Sequence, residues 1–104
     1  MNVIAERQLE LRGDGGSIDV VVRLFRPVPG ASGVDWECHY ELQVGDTSRT
    51  MAMHGIDAMQ ALQLSMATLD VELEHCAKQR RGTLYHFDEP FTSILENSGL
   101  QVRK

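Results

Sequence analysis

Two pairs of adjacent residues, Cys38–His39 and His75–Cys76, carry side chains that can bind zinc or build a thiol nucleophile. Structural zinc sites usually take their ligands from closely spaced pairs such as Cys-x-x-Cys, and this sequence has no such pair. Neighbouring residues of a β-strand point to opposite faces, so Cys38 and His39 cannot both face one metal ion. We therefore expect both cysteines to pack in the core as small apolar side chains, with no metal ion and no cofactor.

His54 is the candidate for a ligand site or a catalytic base, because it comes just before the predicted helix. Backbone N–H groups at a helix N-terminus can hold an anion or polarise a carbonyl group. Together with Gly55 and Trp36, His54 defines a candidate anion or ligand site. Asp57 already caps those N–H groups, and no serine or cysteine is clearly placed as a nucleophile. A half-exposed loop histidine is the favoured interpretation, and we assign no catalytic residue.

A third group, Glu37, His39 and Glu41, alternates along one predicted strand and therefore lies on one face of it. A carboxylate–imidazole–carboxylate row can bind a divalent cation or perform acid–base chemistry when a cleft covers it. On an open sheet face, no desolvation tunes such groups for catalysis. We expect a solvated row that pairs with Arg23 on the neighbouring strand.

The strands that position these groups are predicted by stretches in which apolar residues alternate with polar ones. These stretches are Val3 to Leu11, Ile18 to Phe25, Trp36 to Val44 and Arg49 to Met53. Sequential strands joined by short loops usually pair in order, which predicts an antiparallel meander. A fifth strand, Thr83 to Phe87, follows the helix, and its place in the sheet is left open.

One long helix, from Asp57 to about Arg81, is the strongest structural signal of the sequence. Asp57 is a good N-cap, Gln60 completes a capping box, and Gly82 is the expected C′ residue. One apolar face follows helical spacing and should pack on the sheet: Ala58, Leu62, Met66, Leu69, Leu73 and Cys76. The sequence therefore predicts a single α+β domain over residues 1–104, an antiparallel four- to five-stranded meander with one long helix packed on one face.

A second apolar stripe on this helix, formed by Leu64, Ala67 and Val71, lies nearly opposite the core face. An exposed apolar stripe indicates that something else covers it. Two covers are left open. One is formed by Phe91, Ile94 and Leu95 of the C-terminal segment, residues 91–104, which is predicted as a short helix followed by a frayed tail. The other is a second copy of the chain, which makes the stripe the candidate interface of a homodimer.

Composition excludes several classes of protein. The net charge of −5 comes without a clustered basic footprint, which argues against a nucleic-acid partner. No segment approaches the ~18 to 20 consecutive apolar residues of a membrane helix, so no membrane partner is expected. The first seven residues meet charge at once and show no apolar signal region. With only two cysteines, the chain is expected to be a cytoplasmic protein with reduced thiols.

Residues 54–64, HGIDAMQALQL, resemble the Gly-Val-Asp-Ser-Leu-Gln-Ala-Leu-Gln-Leu-like helix start of a family of small uncharacterised bacterial proteins. Ile4 to Arg7, Arg26-Pro27 and Asp35 to Cys38 are similar to the same family, and the resemblance spans roughly residues 3–87. It implies a bacterial cytoplasmic domain of unknown function, and it carries over no catalytic residue.

The leading hypothesis is a non-enzymatic protein-interaction module that binds a protein partner or self-associates. The first alternative is an immunity or antitoxin-like inhibitor that masks a basic partner protein, which the acidic balance permits. The second alternative is a small enzyme with its site at His54 and the helix N-terminus. A deep pocket at His54 would favour the enzyme, whereas a flat apolar helix face would favour the interaction module.

Overall fold

The structure is a computed structural model that describes residues 2–95, and within them it has seven strands and one helix. The strands are β1 (Val3–Gly13), β2 (Gly16–Phe25), β3 (Val28–Pro29), β4 (Trp36–Val44), β5 (Thr47–Gly55), β6 (Thr83–His86) and β7 (Glu89–Pro90). The helix is α1 (Ala58–Gln79). This confirms the predicted α+β class, an antiparallel sheet with one long helix.

The sheet is antiparallel throughout, and its strands follow the order β5, β4, β2, β1, β6, β7. The two-residue β3 continues along β4 on the side that β2 occupies. The four long strands therefore form the predicted meander, and β6 returns to pair with β1 at the far side. The strand after the helix ends at His86, because Phe87 has a φ of +51° and belongs to the turn into β7.

The core lies between one face of the sheet and α1. Its fully covered side chains come from three strands and the helix, namely Leu11, Val20, Cys38, Tyr40, Leu69 and Leu73. Two small residues of α1, Ala61 and Ser65, are also buried, whereas Leu62 and Met66 are only half-buried. The predicted core face of the helix is thus rotated towards β5.

Small residues at the contact between β5 and α1 explain the rotation of the helix. A Cβ atom on Gly55 would lie 2.5 Å from Ala61 N, so the glycine lets the first helical turn rest on β5. Ser65 Oγ then donates to Cys38 O at 2.8 Å, which satisfies a hydroxyl that would otherwise be buried without a partner. The spacing of the hydrophobic residues in the sequence does not predict either contact.

The two ends of α1 differ in how well they were predicted. At the N-terminus, Asp57 Oδ1 accepts from Gln60 N at 2.7 Å, and Gln60 Oε1 accepts from Ile56 N at 2.8 Å. At the C-terminus, the left-handed residue is Arg81, with a φ of +50°, and the prediction of Gly82 for this role is wrong. Gly82 is needed for close packing instead, since a Cβ there would lie 2.8 Å from the carbonyl oxygen of Arg12.

The segment after β7 packs beside α1, over the β1 side of the sheet. Phe91 and Ile94 are partly buried against the core. Asp70 of α1 accepts from Ser93 Oγ at 2.7 Å and from Ile94 N at 2.6 Å. The short helix expected after Pro90 does not form as far as Leu95, and the rest of that prediction, residues 96–104, lies outside the described residues. No helix of the described chain has the length and apolarity needed to cross a membrane.

Candidate interaction surface

Strand β5 forms one edge of the sheet, and no strand within residues 2–95 pairs with its outer side. Gly45 N donates to Asp19 O at 2.9 Å, which makes Val20 and Val44 a pair of the non-hydrogen-bonded type. The backbone groups of Val44 therefore point towards β5, where Thr47 is the paired residue. Because this direction alternates along a strand, the outward N–H and C=O groups of β5 belong to Ser48, Thr50, Ala52 and His54.

The β5 edge lacks most of the features that keep sheet edges from pairing. Natural proteins protect an edge with proline, lysine, a bulge or a very short strand. Strand β5 is nine residues long and contains no proline and no lysine. The opposite edge of the described sheet ends in β7, which has two residues, one of them Pro90. On that side β6 pairs with β1 only from Glu10 to Arg12, which leaves residues 3–9 of β1 without a strand partner there. Among the described residues, β5 is therefore the longest edge that can accept another strand.

A polar cluster fixes α1 above β4 and β5. Tyr40 Oη donates to one carboxylate oxygen of Glu72, and the other oxygen faces the guanidinium group of Arg49. Burial raises the pKa of Tyr40, while the charge of Arg49 acts in the opposite direction. Since a largely buried carboxylate is tolerated only when it is paired, this cluster holds the helix and both strands in one register.

The predicted interface stripe lies on the flank of α1 that stands above the open edge. Val71 is 67% exposed and Leu64 is 37% exposed, and Ala67 between them is exposed as well. Val71 also lines a groove of about 610 Å³ between the second half of α1 and the start of β5. The C-terminal segment, as far as Leu95, packs on the other flank of the helix through Asp70 and so does not cover the stripe.

Two residues of the stripe, Leu64 and Val71, belong to a longer row with steps of four, three and four residues, which we call the helix seam: Leu64, Thr68, Val71 and His75. Such spacing is that of the positions through which one helix packs against another. Thr68 Oγ1 donates to the carbonyl oxygen of Leu64 at 2.7 Å, so its hydroxyl is satisfied inside the helix. The seam therefore presents no unsatisfied hydroxyl group to an apolar partner.

The second predicted site, around His54, has an acidic environment. His54 Nδ1 lies 3.0 Å from Asp35 Oδ2 and 3.9 Å from Glu37 Oε2, and its side chain is 56% exposed. Trp36 is half-buried and faces Gly55 across the β4–β5 ladder. Asp35 and Glu37 place negative charge around His54, and the N–H groups of the neighbouring helix end are capped by side chains of the protein itself. The surface around His54 therefore attracts cations more than anions. The ligand site at His54 stays a prediction.

Cys38 and the outer row of β4 take the positions predicted for them, whereas Cys76, also predicted in the core, is only half-buried. Cys38 is fully buried and donates to Phe25 O at 3.4 Å, and burial raises the pKa of its thiol. Glu41 pairs with Arg23 at 2.6 Å, as predicted for the outer row. Arg23 also pairs with Glu6 at 2.7 Å, and this contact lowers the pKa of Glu6. No group of three or more His, Cys, Asp or Glu residues in the described chain is arranged to hold a metal ion.

The open face of the sheet holds a groove of about 770 Å³ near β6 that the sequence did not predict. Its lining includes four carboxylates and two aromatic rings, those of Glu10, Asp19, Asp46, Asp88, Tyr85 and Phe87. The guanidinium group of Arg12 lies 4.1 Å from the centre of the Tyr85 ring and pairs with Glu10 and Asp88. Phe87 is 89% exposed and held at positive φ.

The β5 edge was not predicted from the sequence, because the residues of a single strand do not determine its position in the sheet. The four- and three-residue steps of the helix seam were readable, although only Leu64, Ala67 and Val71 were named as candidates. The pairing of β6 with β1 decides which strand remains at the edge, and that pairing joins parts of the chain far apart in sequence.

Taken together, the fold and this surface define a class: a small α+β domain with an open strand edge below an exposed helix seam. The family model for the Domain of unknown function (DUF6968) matches residues 5–94, and the chain belongs to this family. The family assignment agrees with the resemblance to an uncharacterised family. No curated protein and no solved structure matches the chain.

Proposed function

We propose that this chain is a non-enzymatic protein-interaction module that binds its partner by strand addition at the β5 edge. The observation that carries the proposal is the row of outward backbone groups at Ser48, Thr50, Ala52 and His54, beside the exposed helix seam. An added strand gains main-chain hydrogen bonds from an edge, while pockets and helices next to it select the side chains. The resemblance noted from the sequence, together with two free cysteines, supports a bacterial cytoplasmic setting for this function.

A rigid platform behind the edge supports this function. The pairing of β5 with β4 covers all nine residues, and the Tyr40–Glu72–Arg49 cluster ties the edge to α1. An edge that is already ordered loses little conformational entropy when a partner binds. Strand addition at β5 therefore needs no rearrangement of the domain.

The test blocks one outward N–H group and leaves the rest of the sheet in place. In Thr50→Pro the lost N–H points away from β4, so the β4–β5 ladder keeps its hydrogen bonds. Thr50→Val is the matched control, because it keeps the N–H group and favours a strand. Circular dichroism should show both variants folded.

Tagged full-length chains are purified from the native cells, together with a differently tagged copy of the chain itself. We expect at least one protein, either a different protein or this second copy, to be recovered with the wild type and with Thr50→Val. Its recovery should fall about tenfold or more with Thr50→Pro. A set of captured proteins that does not respond to Thr50→Pro would contradict the proposal.

A second candidate function is inhibition of a basic partner protein, and the acidic groove on the open face of the sheet favours it. Arg12 shows how a guanidinium group binds to the residues of this groove: it lies between the carboxylates of Glu10 and Asp88 and over the ring of Tyr85. Asp19 and Asp46 also line the groove, and within residues 2–95 neither carboxylate forms an ion pair, so a basic partner can pair with both. Loss of a captured basic protein in Asp19→Asn with Asp46→Asn, but not in Thr50→Pro, would favour this candidate over the first.

A further inference from the structure

We infer that the partner at the β5 edge is a second copy of this chain. The two copies are related by a two-fold axis perpendicular to the sheet, which passes beside Met51 and the Thr68–Val71 turn of α1. This inference rests on the proposed function and adds the identity of the partner. Five features of the described residues carry it: strand register, helix spacing, alignment of the two elements, charge and contact area.

The register follows from the symmetry of the outward groups. Ser48, Thr50, Ala52 and His54 are arranged evenly about Met51, so two antiparallel β5 strands centred on Met51 pair every outward group. Thr50 then exchanges two hydrogen bonds with Ala52 of the second copy, and Ser48 does the same with His54. The central Met51 pair is of the non-hydrogen-bonded type, because the backbone groups of Met51 point to β4.

Helix spacing gives an independent check on this arrangement. Helix α1 packs over β4 and β5, so its axis stands roughly midway between two strands that are ~4.8 Å apart. The two-fold axis lies half a strand spacing outside β5, which places the two helix axes about 10 Å apart. Packed helices lie ~8 to 10 Å apart, so the strand pairing itself brings the two helices into contact.

The strand and the helix also agree on where the axis passes. Ser65 contacts Cys38, which is opposite Met53, and Glu72 contacts Arg49. The midpoint between Met53 and Arg49 is Met51. The midpoint between Ser65 and Glu72 falls at Thr68 and Leu69, in the middle of the helix seam. An axis placed by the strand therefore passes through the centre of the seam.

The seam contact is compatible with antiparallel helices. In a pair of antiparallel helices, seam residues on the two sides of the two-fold axis lie beside each other. With the axis at the centre of the seam, Thr68 therefore lies beside Val71 of the second copy. Leu64 then lies beside His75 of the second copy, in the adjacent layer. Below the helices, the two Met51 side chains, each 45% exposed in one copy, lie side by side on the helix-facing side of the sheet. The flexible thioethers can fill the space between them.

Charge does not oppose the contact, although each copy carries a net charge of −5. The charged group nearest the axis is Arg49, and it is paired with Glu72 of its own copy. The other members of β5 and of the seam are apolar, hydroxylated or imidazole side chains. An interface through this strip therefore desolvates no unpaired charge.

The strip is of the size that a specific dimer contact needs. Nine strand residues span about 30 Å, the seam from Leu64 to His75 spans about 17 Å, and the strand layer and the helix layer are each about 10 Å high. Each copy thus contributes roughly 500 Å², and the total of about 1,000 Å² reaches the lower limit of specific protein interfaces.

The first test is the solution mass of the purified full chain, measured by light scattering. We expect twice the chain mass of 11.6 kDa for the wild type and for Thr50→Val. Thr50→Pro should shift the mass towards a single chain, because it removes one of the central hydrogen bonds from each copy. A wild type that stays at 11.6 kDa at its highest soluble concentration would overturn the inference.

The second test is a cysteine placed on the axis. Cα atoms in a non-hydrogen-bonded pair are ~4.5 Å apart, which a disulfide can span, so Met51→Cys should cross-link two copies under mild oxidation. Ser48→Cys is the matched control, since two copies of residue 48 lie about 20 Å apart in this register. Wild-type protein controls for Cys38 and Cys76. Equal cross-linking of Met51→Cys and Ser48→Cys would refute the register.

The third test uses charge at the seam. Val71→Glu and Val71→Lys should each weaken self-association about tenfold or more, because like charges meet across the axis. Mixing the two variants should restore a dimer that contains one copy of each. A mixture that stays monomeric would count against the helix contact.

These results separate the inference from the proposed function. A monomeric wild type that still loses a captured protein in Thr50→Pro would overturn self-pairing and leave strand addition standing. A dimer that Thr50→Pro does not affect, without an edge-dependent partner, would overturn both.

Discussion

Leu69 tests the placement of α1, because its side chain is fully buried between the helix and the sheet. Leu69→Ala removes three carbon atoms from the core and leaves helix propensity nearly unchanged. The matched control is Leu64→Ala, which makes the same chemical change on the same helix at a position that is 37% exposed. Both are made in the Thr50→Pro background, so that pairing at the edge does not enter the measurement.

The expected cost follows from the surroundings of Leu69. Lost burial of three carbon groups is worth about 2.4 kcal/mol at ~0.8 kcal/mol each. An unrelaxed cavity of ~80 Å³ would add about 2 kcal/mol. A groove of about 290 Å³ already lies beside Leu69, lined also by Met66 and Ile94, whose side chains can move into the new space. We therefore expect about 3 kcal/mol for Leu69→Ala and less than about 1 kcal/mol for Leu64→Ala.

Urea denaturation followed by circular dichroism measures both free energies of unfolding, with the slope checked for equality among the three proteins. The comparison depends on burial alone, since both residues are leucines within one helix. A difference between Leu69→Ala and Leu64→Ala of less than about 0.5 kcal/mol would show that the helix faces are misassigned.

Three further outcomes follow from the packing and from the raised pKa values. Gly55→Ala should lower the free energy of unfolding by about 1 to 3 kcal/mol, measured by urea denaturation, because its Cβ would lie 2.5 Å from Ala61 N. A thiol reagent at neutral pH should label half-buried Cys76 first and Cys38 only as the protein unfolds, as mass spectrometry of the peptides would show. The pKa of Cys38 and that of Tyr40 are raised from 9.0 and 10.0 by burial, so their neutral forms are favoured in the folded state. The contribution of these two neutral side chains to the free energy of unfolding is complete below pH 9 and is lost as the pH rises through their folded-state pKa values. The free energy of unfolding should therefore fall in alkaline solution, and a value that stays constant from pH 8 to 11 would contradict this prediction.

The sequence predicted those features that a local pattern encodes. Alternation placed Cys38 and Tyr40 in the core and Glu41 on the outer face, because the side-chain period of a strand is two residues. The Asp57 cap was readable because it is also a local feature: the accepting carboxylate of Asp57 and the donor, Gln60 N, are three residues apart. Features that depend on distant parts of the chain were not readable. The burial of Ser65 needs the carbonyl of Cys38, and the open β5 edge needs β6 to pair at the far side of the sheet.

The position of α1 determines what the β5 edge can select. The helix stands over β4 and β5 and the segment after β7 covers the β1 side, so a strand that pairs with β5 also comes under the seam. Main-chain hydrogen bonds at an edge accept almost any extended sequence and therefore give affinity with little selectivity. Selectivity has to come from Leu64 and Val71, which a partner must cover with a surface that matches their spacing. A peptide that only supplies a strand leaves both side chains exposed, whereas a second sheet with its own helix covers them, and this difference favours a folded partner over a free peptide.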